Sequence, residues 1–195
     1  NEPDNPAFAH NFMVLAPSGL KSSIVPSLKH IMEFNPSWII PEPTASQLKR
    51  LVCFEVLDEQ KSGKQSNRTR NPNAQKINNH QPFDTLMGLV AITNAEKVIL
   101  DRIDTADNPA LFSADELVKI ECANELRTII SRLPNLSIFI DEVHHAADGD
   151  IKLRKVVNKW SKEHTFCGML GFSGTPYLEK AEQVSLADQF SVKNT

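Results

Sequence analysis

Hydrophobic residues fall into short runs separated by polar turns. Phe12-Met13-Val14-Leu15-Ala16 is a continuous apolar run of five closed by Pro17-Ser18-Gly19. That pattern predicts a strand buried on both faces, followed by a turn. Ile24, Leu28, Ile31 and Met32 then recur at helical spacing. Pro26 is tolerated only in a first helical turn, so this helix is expected to start between Ser22 and Pro26 and to stop at Asn35-Pro36. Leu51 to Leu57 and Leu86 to Ile92 read as the second and third strands. A short helix is expected over Asn94 to Arg102. Ser113 and Glu116 have capping-box spacing ahead of Leu117, Ile120, Ala123, Leu126, Ile130 and Leu133, the apolar face of a long helix ended by Pro134-Asn135. Leu136 to Ile140 is the fourth strand. Leu153, Val156, Val157 and Trp160 mark another helix, and Phe166 to Phe172 the fifth strand. Such alternation predicts an α/β fold, a mainly parallel sheet with helices on both faces.

One segment departs from this rhythm. Lys61 to Phe83 holds Lys61, Lys64, Arg68, Arg70 and Lys76 among Asn, Gln and Ser, with no acid. It reads as a long, basic, polar loop, too biased in composition to pack. Two readings stay open: a solvated insertion with no partner, or a contact in which five positive charges without a counter-acid lie along a DNA backbone and release its counterions. No aromatic residue interleaves them, so stacking on bases is not indicated.

Composition narrows the classes. The chain has 195 residues, 41% hydrophobic and 23% charged, which suits one globular domain rather than a disordered segment. The net charge of −3 neither advertises nor excludes a nucleic-acid partner, because a local patch outweighs the total. Cys53, Cys122 and Cys167 form no C-x-x-C pair, which argues against a disulfide framework or a structural zinc. A reducing, cytoplasmic compartment is the expectation. No apolar run approaches the ~20 residues of a membrane span, and the first residues lack the features of a signal peptide. The chain starts at Asn1 rather than Met, so it is expected to be part of something longer.

The strand ends carry the chemistry. In Ile138-Phe139-Ile140-Asp141-Glu142-Val143-His144-His145, two carboxylates directly follow an apolar strand. A carboxylate there can hold Mg²⁺, directly or through water, and its neighbour can polarise an attacking water. An Asp-Glu pair alone is most often a solvated acidic turn; the following His pair makes that reading less apt. Next, Phe172-Ser173-Gly174-Thr175-Pro176-Tyr177 follows the fifth strand with small hydroxyl residues around a glycine. Alone it is a tight turn offering hydrogen bonds. The two segments, 32 residues apart with one helix between them, are more specific together than either is alone.

Asp141-Glu142-Val143-His144 resembles the DExH box (motif II) of second-superfamily helicases and translocases, and Phe172-Ser173-Gly174-Thr175-Pro176 resembles their motif III. Within that superfamily the pairing is most similar to the restriction subunits of type III and type I restriction-modification enzymes. Val14 to Ser18 occupies the place of motif Ia, and Val90 to Lys97 resembles a later DNA-contacting segment. The resemblance spans Phe12 to Tyr177 and implies a RecA-like first motor domain. It implies that Asp141 coordinates Mg²⁺ of a bound ATP and that Glu142 orients or activates the hydrolytic water. It further implies that His144 couples the nucleotide site to a partner domain, and that Ser173, Gly174 and Thr175 link hydrolysis to strand movement. Ser18 and Thr93 would contact phosphates of the tracking strand, with Lys64, Arg68 and Arg70 as further DNA contacts.

These motors need a phosphate loop, G-x-x-x-x-G-K-[ST], and these 195 residues contain none. Gly19-Leu20-Lys21-Ser22 and Gly63-Lys64-Gln65 both fail the pattern. In the family the loop precedes motif Ia, so it is expected upstream of Asn1, and its strand is expected to be missing from this sheet. A second RecA-like domain with its arginine finger is expected beyond Thr195, with residues 178–195 beginning the connection. The expectation is therefore a partial first domain of an ATP-dependent DNA helicase or translocase, the motor of a restriction endonuclease with a methyltransferase subunit as partner. Two alternatives stay open: a non-catalytic RecA-like domain that binds DNA or protein, and a fragment of an RNA helicase.

Overall fold

A computed structural model describes residues 5, 7–16, 25–27, 30, 32–33, 35–59, 70–98, 124–141, 153, 156–157, 159–160, 162 and 166–172. Among these residues five strands form one sheet: β1 (Asn11–Ala16), β2 (Cys53–Val56), β3 (Leu89–Asn94), β4 (Leu136–Ile140) and β5 (Phe166–Gly171). Their order is β2-β3-β1-β4-β5, and every pairing is parallel. The expected α/β class and parallel sheet are what the chain adopts. The central strands carry little but apolar side chains because parallel sheets are covered on both faces.

Alternation along the strands divides the interior in two. Met13, Leu15, Leu89, Ala91, Ile138 and Ile140 face one side, where Leu126, Ile129, Ile130 and Leu133 from the helical residues at 124–131 join Leu153, Val156, Val157 and Trp160. The Trp160 indole N–H donates to the Arg127 carbonyl at 3.1 Å, which fastens those two helical stretches together. Ala16 and Ile92 face the other side with Val14, Phe54, Val56 and Val90, and Val25 from the helical residues at 25–27 packs on them. Phe12, Phe139 and Phe172 stack in a row on this second face, with ring centroids 5.8 and 6.2 Å apart.

Several elements differ from the sequence expectation. Helix α1 (Thr44–Leu51) has no counterpart in it, because of its residues only Ala45 is buried while Leu48 and Leu51 lie exposed. It claims Leu51, so β2 begins at Cys53. The segment expected as a loop to Phe83 contains helix α2 (Pro72–Asn78) and a 3₁₀ turn at Phe83–Thr85. Asn71 caps α2 by accepting from the Asn73 and Ala74 N–H groups, Pro72 opens its first turn, and Ala74 and Ile77 reach the core. Residues 61–69 lie outside the described residues. Helix α3 (Ala95–Val98) begins the expected 94–102 helix. Cys167, which its place in an apolar strand run would put in the core, is only half-buried on β5, at one end of the strand order.

Two polar features set the register. Asn11, fully buried, donates to the Leu86 and Pro134 carbonyls at 2.9 and 2.8 Å and accepts from the Leu89 N–H at 3.0 Å. It thereby joins the amino ends of β1, β3 and β4. Gly88 has a φ of +88°, and a Cβ there would lie 2.1 Å from the Leu51 carbonyl oxygen. Only glycine fits a positive φ with backbone that close. Its N–H donates to the His10 carbonyl at 2.8 Å and its carbonyl accepts from Cys53 at 2.9 Å. The third strand therefore starts after Gly88, three residues later than the apolar run from Leu86 implies. Among the described residues no helix is long and apolar enough to cross a membrane.

Candidate functional site

Five parallel strands deliver their carboxyl ends to one edge of the sheet. From β1 the chain proceeds to β2 and β3, both on one side of it, whereas β4 leads to β5 on the other side. Connections therefore diverge outside the ends of β1 and β4. A crevice at such a divergence is where open α/β sheets bind ligands.

Asp141 sits at that point. Its backbone N–H donates to the Leu15 carbonyl at 3.0 Å, which ties the residue following β4 to the end of β1. Residue 141 is exposed. An exposed carboxylate is a hard oxygen donor of the kind Mg²⁺ prefers, so the residue fits one position of a cation shell. On the next strand Ile140 pairs with Gly171, and the Phe172 N–H donates to the Ile140 carbonyl at 2.8 Å. The DEVHH and FSGTP segments thus leave neighbouring strands at the same level. Phe172 is 51% exposed and stacks on Phe139. Glu142, His144, Ser173, Gly174 and Thr175 lie outside the described residues.

The expected nucleic-acid contacts fare differently. Thr93 is fully buried, and its hydroxyl donates to the Leu57 carbonyl at 3.1 Å. With Leu57 N–H donating to the Ile92 carbonyl at 2.7 Å, this fixes the exit of β2 against β3. A side chain with no exposed surface does not touch a strand backbone, so Thr93 is a structural tie. Arg70 is exposed, just ahead of the Asn71 cap. It stands near the carboxyl end of β2, because Asn73 exchanges two 3.0 Å hydrogen bonds with the Glu59 backbone. Strands β2 and β4 are three spacings apart, or about 14 Å. Ser18, Lys64 and Arg68 lie outside the described residues.

Lys76 is taken out of the basic set. Its ammonium donates to the Val56 carbonyl at 2.8 Å and pairs with Asp58 at 3.5 Å and Glu59 at 3.4 Å. The acids missing from 61–83 come from the end of β2 instead. At the carboxyl end of β3, opposite Ala16, the Asn94 side-chain oxygen is buried with no hydrogen-bond partner among the described residues. A lone polar residue closing an apolar strand carries no sequence signal of such a state. No family model matches the chain, and neither a curated protein nor a solved structure matches it.

Proposed function

We propose that the chain is part of the first motor domain of an ATP-dependent DNA helicase or translocase, of the kind that drives a restriction endonuclease. The observation that carries this reading is the position of Asp141. It heads a DEVHH segment at the divergence of the strand connections, with the FSGTP segment starting one strand away. Asp141 would hold Mg²⁺ of a bound ATP, and the metal would neutralise charge on the triphosphate. Glu142 would orient the attacking water, and His144, Ser173, Gly174 and Thr175 would couple the site to movement. Ser18, Lys64, Arg68 and Arg70 remain the candidate DNA contacts, and Thr93 leaves that set. Arg70 stands near the end of β2 and Asp141 at the end of β4, so DNA contact by Arg70 and hydrolysis would occupy opposite halves of one edge. A methyltransferase subunit and a cytoplasmic setting belong to the same proposal.

Phosphoryl transfer rests on positioning and charge stabilisation, and these residues supply neither a phosphate loop nor an arginine finger. A missing arginine finger alone is worth about 10³–10⁵ in rate. The 195-residue chain should therefore show no ATPase activity with or without DNA. A longer protein in which a phosphate loop precedes Asn1 should hydrolyse ATP faster when DNA is added. DNA binding without hydrolysis by that longer protein would instead identify a RecA-like binding domain.

A further inference from the structure

Cys53 and Glu55 stand two residues apart on β2, so their side chains lie on the same face of an edge strand. His80, just beyond α2, reaches both. Its Nε2 is 2.9 Å from Glu55 Oε1, and its Nδ1 is 3.9 Å from Cys53 Sγ. The contacts use opposite ring nitrogens, so the three groups cannot close around one metal ion. They form a relay. A carboxylate only accepts, so in the neutral imidazole the hydrogen sits on Nε2 and the Nδ1 lone pair faces the thiol. That is the arrangement of a nucleophile, its base and a group that orients the base.

The relay is open to small molecules. The His80 and Glu55 side chains are 22% and 28% exposed, and Cys53 is half-buried. It lies on the opposite edge strand from β5 and toward the amino end of β2, away from Asp141. Burial, and then the Glu55 charge, push the Cys53 thiol above its ordinary value. The sulfur therefore rests protonated, and its proton has to be removed as it attacks.

We propose that Cys53, His80 and Glu55 form a base-assisted thiol nucleophile that takes up small α,β-unsaturated carbonyl compounds. In the addition, Sγ bonds to the β-carbon while the thiol proton passes to His80 Nδ1. The π pair moves onto the α-carbon and carbonyl as an enolate, which the imidazolium then protonates. Nothing leaves and no oxidant is consumed. Glu55 is a positioning residue that holds the His80 tautomer.

The test treats the whole chain with limiting N-ethylmaleimide and follows adducts at Cys53, Cys122 and Cys167 by peptide mass spectrometry, in H₂O and in D₂O. Cys53 should react first and more slowly in D₂O, because a proton moves in the step. His80→Ala should slow Cys53 by about tenfold or more, and added imidazole should restore part of the rate. Glu55→Ala should lose rate, and Glu55→Gln, which keeps an acceptor for Nε2–H, should recover it. An unaltered Cys53 rate in His80→Ala, or no response to imidazole, would overturn the proposal. Should His80→Ala loosen the fold, so that Cys53 and Cys167 accelerate together, the unaltered chain decides. Slower reaction in D₂O then supports the relay, and equal or faster reaction refutes it.

Discussion

Replacing Asn11 by alanine removes one side chain and leaves three backbone groups without their partner. The Leu89 N–H and the Leu86 and Pro134 carbonyls, each bonded to it at 3.0 Å or less, belong to segments leading into β3 and β4. An unsatisfied buried donor costs about 1–3 kcal/mol, and a carbonyl with a second lone pair costs less. Taking the N–H at about 2 and each carbonyl at about 1, the loss is about 4 kcal/mol. For a chain of this length that corresponds to a fall in Tm of about 8–16 °C. Urea unfolding followed by far-ultraviolet circular dichroism reads the change directly. Asn78→Ala, at an exposed position of α2, serves as the control and should stay within about 0.5 kcal/mol. A loss below about 1 kcal/mol for Asn11→Ala, with an unchanged urea dependence, would refute the account of this residue as the register pin.

Gly88→Ala should destabilise the chain by more than the ~1–2 kcal/mol of a left-handed conformation alone, because the added methyl meets the Leu51 carbonyl; the same unfolding curve measures it, and a neutral result would mean that the turn has another conformation. Thr93→Val should cost about 1 kcal/mol by breaking the bond to the Leu57 carbonyl, while duplex affinity at fixed salt stays unchanged. A large affinity loss in that variant, measured by fluorescence anisotropy, would return Thr93 to the DNA interface.

Strands β1, β3 and β4 were legible because each is a short, largely apolar run bounded by turn residues, as a buried parallel strand requires. β4 begins and ends where its apolar run does, and β1 adds only Asn11. Boundaries failed where a single polar or glycine residue decides them. Gly88 and Asn11 move the start of β3 past Leu86, and neither has a hydropathy signal. Helix α2 was hidden by composition, since Asn, Gln and Lys surround its two apolar core residues, although Asn71-Pro72 is a recognisable start. The charge of Lys76 was visible, but its neutralisation by Asp58 and Glu59 depends on folding. Of the site, the placement of Asp141 beside the end of β1 follows from the strand order, which local pattern does not encode. Thr93 shows the converse. Its place in an ordered series of motifs suggested a surface role, and burial assigns its hydroxyl elsewhere.

DNA-stimulated phosphate release by the longer protein, compared between Glu142 and Glu142→Gln, tests the motor assignment most directly. The substitution keeps the size of the side chain and removes the charge that would orient the water. Turnover should fall to background while ATP binding, measured by calorimetry on the same samples, is largely retained. Turnover at the unaltered rate in Glu142→Gln would place hydrolysis elsewhere and contradict the account.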